Sequence, residues 1–319
     1  PTLRRQRQMC IRDRSVTERV YYKDFAFALI GYFLFVCQDT ISKDLVTRYH
    51  ATQIVFFSSI AALITVVIYT HWKNAWRKIK KANFTVHFFR TLTMFLAMSS
   101  FIYSTYYLPL TTLYSIIFTI PLLLTIGGAI FLKENVSWRR YLATSIGFIG
   151  AIIAIDPLSS EFTKIGIIAI IMPLFPTASY LIVRKYGYQE SLYSFLIYGK
   201  LLMILFSSLV AVYFYKPMPL NDLAINLGSG IFRGIAIIFV INSARHLPAS
   251  IFSSAQYIQI IAGGILGYLF FKDVPTINVY FGSVLIIGAG LYIILREAKL
   301  GVNIVTSTTR HPTIPIKKD

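Results

Sequence analysis

Acidic residues are scarce in this sequence. Its 319 residues include 13 Asp and Glu against 31 Lys and Arg, and charges of both signs make up only 14%. A soluble domain carries about 25% charged residues, so this composition cannot build a water-facing shell. Cysteine is nearly absent too. Only Cys10 and Cys37 occur, which excludes a disulfide framework and a cysteine-based metal site. The Gly-rich phosphate loop of an ATP-driven pump is missing. The histidines, His50, His71, His87, His246 and His311, show no metal-ligand spacing. No metal and no cofactor are therefore expected, and the chain does not read as an enzyme.

What the sequence has instead is apolar length. Apolar residues make up 56% of it. They fall into ten runs at roughly 24–42, 51–71, 85–106, 109–132, 139–155, 165–185, 191–215, 224–243, 248–271 and 277–295. A membrane helix needs about 20 such residues. Only helices and closed barrels satisfy their backbone in lipid, and a barrel needs alternating segments of about ten residues. The expected fold is therefore an all-α integral membrane protein of ten transmembrane helices. The first run starts near Asp24 and is long enough to stay in the membrane, so no cleaved signal peptide is expected. Residues 1–23 are polar, basic and aperiodic. They read as a disordered basic N-terminus or as a translated sequencing artefact, and no fold role is given to them.

The net charge of +18 invites a nucleic-acid reading. The basic residues, however, sit at the edges of the apolar runs, which is the pattern of cytoplasmic membrane loops. With the N-terminus inside, sixteen Lys and Arg, Arg296 at the end of the last span included, fall in the inner loops and the C-terminal tail, residues 297–319, against five in the outer loops. Both termini are then cytoplasmic, as an even number of spans requires. Nucleic acid is not an expected partner. The expected partners are the lipid bilayer and a small-molecule substrate, with the chain acting as a monomer or a homodimer.

A shift of 139 residues aligns two stretches of the chain. Leu108-Pro109 falls on Leu247-Pro248, Ser115 on Ser254, Gly128 on Gly267, Phe131 on Phe270, Lys133-Glu134 on Lys272-Asp273 and Tyr141 on Tyr280. The halves are residues 24–155 and 165–296. Each holds five spans, an odd number, so the second half must be inverted relative to the first. Inverted repeats are the architecture of many secondary transporters, with the binding site near midplane between the halves.

Arg90 to Pro157 reads RTLTMFLAMSSFIYSTYYLPLTTLYSIIFTIPLLLTIGGAIFLKENVSWRRYLATSIGFIGAIIAIDP. An Arg opens the third span, and a Tyr-rich end runs into Leu-Pro-Leu. A proline-containing fourth span, a Lys-Glu turn, Trp-Arg-Arg and a Gly-rich fifth span follow. This resembles the EamA domain of the drug/metabolite transporter superfamily. A weaker second copy runs from Arg233 to Gly290, and Asp39-Thr-Ile-Ser-Lys43 resembles the first-span ending of many bacterial members. Many relatives carry an Arg in the second span, where this chain has Phe56-Phe57-Ser58, so the resemblance carries no substrate across. It covers residues 24–296. It implies a basket of ten helices in which spans three, four, eight and nine, with parts of one and six, line a central cavity. It also implies alternating access in a bacterial cytoplasmic membrane.

Charges inside a membrane are costly and mark function. Four stand inside the expected spans: Asp39, Arg90, Lys200 and Arg233. Arg90 shares a helical face with Thr93, Ala97, Ser100 and Ser104, either a cavity wall or a snorkelling Arg above a packing seam. Arg233 sits deeper and reads as an anion-binding group. Asp39, one turn from Lys43, reads either as half of a local ion pair or as a proton-coupling carboxylate. Lys200, on a span that the resemblance places at the periphery, reads as a paired or snorkelling group. Further candidates for substrate binding are Ser115 and Thr119 on the fourth span, Tyr180 on the sixth, and Gln256, Tyr257 and Gln259 on the ninth. Pro121, Pro173 and Pro176 are candidate hinges.

The expected function is secondary active transport, by proton coupling or exchange, of a small polar metabolite. Two cavity arginines and few cavity acids favour an anionic or zwitterionic cargo such as an amino acid or a nucleotide-like metabolite. The alternative is a non-transporting membrane protein, a lipid-modifying enzyme or a scaffold, which would need clustered acids or interfacial histidines. A channel would need a continuous polar pore.

Overall fold

The computed structural model describes residues 2–79, 83–133, 137–155, 164–186, 190–246 and 255–299, and among them there is no β-strand. The helices are α1 (Thr2–Leu45), α2 (Ala51–Trp72), α3 (Phe84–Thr105), α4 (Leu110–Ile117), α5 (Ile120–Phe131), α6 (Trp138–Ile155), α7 (Lys164–Ile171), α8 (Leu174–Tyr186), α9 (Leu192–Ala211), α10 (Leu220–His246), α11 (Ile258–Phe271) and α12 (Ile277–Lys299). A 3₁₀ turn, Ala255–Tyr257, precedes α11.

Seven stretches are long and apolar enough to cross a membrane: Tyr22–Leu45, Ala51–Trp72, Phe84–Thr105, Leu110–Phe131, Gly166–Val183, Tyr193–Ala211 and Leu220–Val240. Three shorter apolar helices, Tyr141–Ala154, Ile258–Phe271 and Ile277–Tyr292, stand where the fifth, ninth and tenth spans are expected. The start of the expected ninth span, residues 248–254, lies outside the described residues. The backbone from Thr2 to Lys23 is helical and continuous with the first span; Arg, Gln and Met are good helix formers even without an apolar stripe.

Side chains explain where several helices start. His50 caps α2 through Thr52 N–H, Asn83 caps α3 through Val86 N–H, and Ser191 caps α9 through Ser194 N–H. Prolines decide where others break. Proline cannot donate to the helix ladder and clashes with the preceding turn. The fourth span accordingly breaks at Phe118–Thr119, with Pro121 in the first turn of α5, and the sixth breaks at Met172–Pro173.

The expected repeat has a backbone signature. Lys133 and Lys272, equivalent under the 139-residue shift, both follow helix ends with left-handed φ angles of 54° and 59°. The break at Phe118–Thr119 likewise maps onto the 3₁₀ turn at Ala255–Tyr257. Helix packing follows the same exchange. α1 packs on α10 as α8 packs on α3; α2 packs on α10 as α9 packs on α3; α1 packs on α11 as α8 packs on α5. The α2–α9, α4–α11 and α6–α12 contacts join equivalent spans. At the α6–α12 crossing, a Cβ on Gly282 would lie 2.3 Å from the Gly150 carbonyl oxygen, so glycine is what lets these backbones meet.

The core is apolar, with Ile102, Leu113, Tyr114, Ile116, Met203 and Phe206 among its buried residues. The outside is apolar as well: Ile68, Leu209 and Val284 are 63%, 59% and 69% exposed. Large aliphatics exposed all round a bundle are what lipid contact requires.

Candidate functional site

The two ends of the bundle are tied by different networks. At one end Lys43, in the last turn of α1, pairs with Asp273 in the turn after α11. Its ammonium also donates to the Leu108 carbonyl at 3.3 Å and lies over the Phe271 ring. This corrects the local Asp39–Lys43 pair: Lys43 reaches across to the ninth span, and Asp39 has another partner. Nearby, Asp222 accepts from Arg48 at 2.9 Å and from the Tyr49 hydroxyl at 2.6 Å, joining the α1–α2 turn to the start of α10. The Asp222 hydrogen bond pushes the Tyr49 phenol above its ordinary pKa. His50 accepts the Thr52 N–H and stacks on Phe214, and burial pushes its imidazole below the ordinary value. At the opposite end Glu190 accepts from the Asn83 N–H at 2.7 Å and faces the His87 ring at 3.2 Å, joining α3 to α9.

Between these ends lies a polar cluster. Asp39 is 8% exposed, and its Oδ2 accepts the Tyr114 hydroxyl at 2.8 Å. Arg233 Nη1 donates to Gln38 Oε1 at 2.6 Å and stands over the Phe35 ring. Gln38 in turn donates to Ser42 Oγ at 2.7 Å. Arg233 and Asp39 interact electrostatically, so the first, fourth and eighth spans share one charge-balanced group. Gly263 allows this packing, since a Cβ there would meet the Tyr114 ring at 2.6 Å.

Arg90 belongs to the same interior. Its guanidinium lies over the Phe195 ring and donates to the Phe195 carbonyl at 3.4 Å. It also interacts electrostatically with Tyr180. Tyr180 is partly exposed and interacts electrostatically with both Arg90 and Tyr32. Tyr32 accepts from Gln256 Nε2 at 2.8 Å, which brings the ninth span to the cluster. Lys200, one residue beyond Gly199, whose Cβ would stand 3.1 Å from Arg90 Nη1, completes the group. It is 7% exposed, so the seventh span is not peripheral at this point.

The other expected residues go elsewhere. Ser115 is buried against Ser283 at 2.6 Å, and Thr119 donates to the Ile116 carbonyl at 2.6 Å. Both hydroxyls are spent on helix packing. Ser100 lines a separate cavity of about 340 Å³ near the Lys43 end, with His50, Thr52, Ser99, Tyr103 and Phe175. Gln259 is half-buried and bonds to no described residue. The side chains of Tyr257 and Pro121 lie outside the described residues. Sequence reasoning missed Gln38, Tyr32 and Tyr114. Gln38 carries a signal, a second polar residue beside Asp39 in an apolar run. The two tyrosines carry none, because tyrosine is as common at membrane interfaces as in binding sites.

A cluster of arginines, one acid, tyrosines and glutamines inside the helix bundle can bind and orient a polar solute. Among proteins of known family, residues 24–155 match the EamA-like transporter family. That stretch carries an EamA domain. Over most of its length the chain is similar to transporters. It is 28% identical to an S-adenosylmethionine uptake transporter of Rickettsia felis, over 85% of this chain and 93% of that protein. It is 22% identical to a riboflavin transporter of Vibrio cholerae, over 78% and 84%. It is also 22% identical to a pseudopaline exporter of Pseudomonas aeruginosa, over 82% and 92%. A solved crystal structure covers 86% of this chain and 98% of its own at a TM-score of 0.60 and 11% identity, which shows the shared fold. These relatives are transporters and not enzymes, and the chain, with seven helical stretches long and apolar enough to cross a membrane, is a multi-pass membrane protein similar to them.

Proposed function

We propose that this EamA-like protein is a secondary active transporter of a small metabolite that carries a carboxylate or phosphate, anionic or zwitterionic, and works by alternating access. The observation that carries this reading is Arg233, near the middle of α10 and beside the buried Asp39. Its described partners are the neutral Gln38 carbonyl and the Phe35 face. A guanidinium held by a neutral acceptor keeps donors free for a bidentate anion. Arg90, Tyr180, Gln256 and Tyr32 extend the site across the halves, and Gln259 and Tyr257 belong to it by position on the ninth span. Asp39 is the coupling carboxylate, loading a proton or releasing it as the substrate comes and goes. Pro121, Pro173 and Pro176, at or within one turn of the breaks in the fourth and sixth spans, are the hinges. Loop charge favours both termini in the cytoplasm of the bacterial inner membrane, with the Lys43 end outside and the Glu190 end inside.

S-adenosylmethionine, the cargo named for the Rickettsia relatives, carries a carboxylate and is the first substrate to test. Purified protein in liposomes is offered labelled S-adenosylmethionine, amino acids, dicarboxylates and nucleotides, with and without a pH gradient. Accumulation of at least one of them is expected, and Arg233→Ala and Asp39→Asn are expected to abolish or uncouple it. Accumulation of none, or normal uptake by both variants, refutes the site.

A further inference from the structure

The polar ties across the Lys43 end are of two kinds, and the repeat separates them. Arg48 and Tyr49, in the turn before α2, hold Asp222 at the start of α10. The 139-residue shift carries Asp222 onto Asn83 at the start of α3, and the Asn83 N–H donates to Glu190 in the turn before α9. The same tie is thus made at both ends at once. Alternating access opens one end while it closes the other, so a tie present at both ends belongs to the fixed frame. The Lys43 tie is different. Lys43 falls on Ile182 under the same shift, and isoleucine has no ammonium, so this tie has no copy at the Glu190 end. Its geometry is that of a clasp between the halves. The Lys43 ammonium bonds the Asp273 carboxylate of the second half and the Leu108 carbonyl of the first, the latter at 3.3 Å, and lies 4.9 Å from the centre of the Phe271 ring. Leu108 stands between α3 and α4, ahead of the N-cap Pro109. Asp273 follows Lys272, whose left-handed φ of 59° lets the Asp273 N–H bond the Gly267 carbonyl at 3.2 Å. That helix ending turns the carboxylate back over the last turn of α11, 3.6 Å from where a Gly267 Cβ would stand.

We propose that Lys43 is the latch of this end: its bonds to Leu108 and Asp273 hold the mouth between the halves shut, and each transport cycle breaks them while the Asp222 and Glu190 ties stay made. The inference deepens the transport reading above and rests on it. The latch joins three segments that close the mouth, namely the end of the first span, the turn between the third and fourth, and the turn between the ninth and tenth. It is also poised to open. The side chains of Lys43 and Asp273 are 10% and 21% exposed, so water reaches both as they part. A fully buried pair would strand its charges on opening; this one does not. Because the latch has no copy, it biases the substrate-free protein toward a closed Lys43 end.

Thiol labelling tests it. Ser104 is fully buried, its carbonyl accepts the Leu108 N–H, and its hydroxyl bonds to no described residue. Ser104→Cys, combined with Cys10→Ala and Cys37→Ala, places a single reporter thiol directly under the latched turn. Liposomes sorted for orientation receive a membrane-impermeant maleimide from outside, with no substrate present. With the Lys43 end outward, the reporter protein is expected to label slowly. Lys43→Gln and Asp273→Asn are each expected to speed labelling at least tenfold, and Lys43→Arg to keep it within threefold. Arg48→Gln, which cuts a frame tie at the same end, is expected to stay within twofold. With the Glu190 end outward, neither Lys43→Gln nor Asp273→Asn is expected to raise the rate. A merely structural lysine predicts lower thermal stability with labelling unchanged. That result, or Arg48→Gln speeding labelling as much as Lys43→Gln does, overturns the latch. Failure of the transport reading looks different, because labelling then follows the latch pattern while the same liposomes accumulate no solute.

Discussion

Replacing Arg233 by alanine is expected to harm the fold as well as transport, and a second substitution is expected to repair only the fold. Arg233 supplies the donor to Gln38 Oε1 at 2.6 Å. Gln38 is fully buried, and an orphaned buried acceptor costs about 1–3 kcal/mol. Arg233 is also the cation beside Asp39. Arg233 and Asp39 act on each other through space rather than in a direct ion pair, and the Tyr114 hydroxyl still holds the carboxylate. A destabilisation of about 1–3 kcal/mol, set by the orphaned Gln38 acceptor, is therefore expected for Arg233→Ala. Asp39→Asn alone strands Arg233, which Gln38 still holds, and is expected to cost about 1–2 kcal/mol. In the double variant the neutral amide that replaces the Asp39 carboxylate no longer needs a cation. The two effects should fall short of additivity by about 1–2 kcal/mol, within the range for residues that share a network. The assay is thermal and denaturant unfolding of the four proteins in one detergent, with uptake measured on the same preparations. Strict additivity would refute the coupling of Asp39 to Arg233. Recovered transport in the double variant would refute the anion-binding role of Arg233.

Other consequences are simpler to measure. Lys43→Ala leaves the partly buried Asp273 without its cation and is expected to cost about 2 kcal/mol of stability, discounted from the full burial figure because Asp273 retains some exposure; exchanging the charges, Lys43→Asp with Asp273→Lys, should regain part of it in the same unfolding assay. His50 holds its cap only as the neutral ring, and burial lowers its pKa from the ordinary 6.5. That stability is present above about pH 6.5 and lost as pH falls through the lowered value, worth about 0.5–2 kcal/mol for a cap; His50→Asn should flatten the difference in melting temperature between pH 7.5 and 5. Gly282→Ala puts a methyl group against the Gly150 carbonyl and should destabilise by about 1–3 kcal/mol, while Gly288→Ala, which meets nothing within 4 Å, serves as the unaffected control. Pro173→Ala restores a helical donor at the break in the sixth span; uptake should fall while thermal stability holds or rises, and normal uptake would remove Pro173 from the hinges.

The parts legible in the sequence are those with a period or a sign. Ten apolar runs appear as helices because lipid leaves the backbone no other partner. The repeat is visible because Leu-Pro and the Lys-acid turn are punctuation, and the left-handed Lys133 and Lys272 show the reason: both end a helix at the same point of each half. Arg233 and Asp39 stand out because a charge in an apolar run is rare. Their partners do not stand out. Tyr114 and Asp39 are 75 positions apart and Gln38 and Arg233 are 195 apart, and nothing in one segment names the other. The same limit applies to other side chains. Asp39 and Lys43 are one turn apart, so a local pair is the obvious reading, yet Lys43 points to the ninth span. Ser115 and Thr119 have the polarity of a binding wall but face a neighbouring helix and their own backbone.

Departures from the repeat show how the two halves divide the work. Under the 139-residue shift Arg90 falls on Ser229 and Arg233 on Met94, so the arginines are not copies of one another. At about 1.5 Å per residue, Arg90 stands about 9 Å from the Glu190 end of α3, and Lys200 about 12 Å from the same end along α9. Arg233 is about 20 Å from either end of α10, and Asp39 about 9 Å from the Lys43 end of α1, on the same helical rise. Positive charge thus fills the middle and the Glu190 half, and the acid guards the other half. An anion arriving from the Glu190 end meets Arg90 first, whereas one arriving from the Lys43 end meets the carboxylate first. The sixth span breaks at Met172–Pro173, but the equivalent stretch of α1, around Phe33, is continuous helix. Bending is therefore expected in the sixth span with no counterpart in the first. Half-saturating substrate concentrations should differ between the two faces, lower where the Glu190 end is exposed. Uptake by liposomes sorted for orientation measures this, and equal values for both orientations would show that the asymmetry of charge has no part in transport.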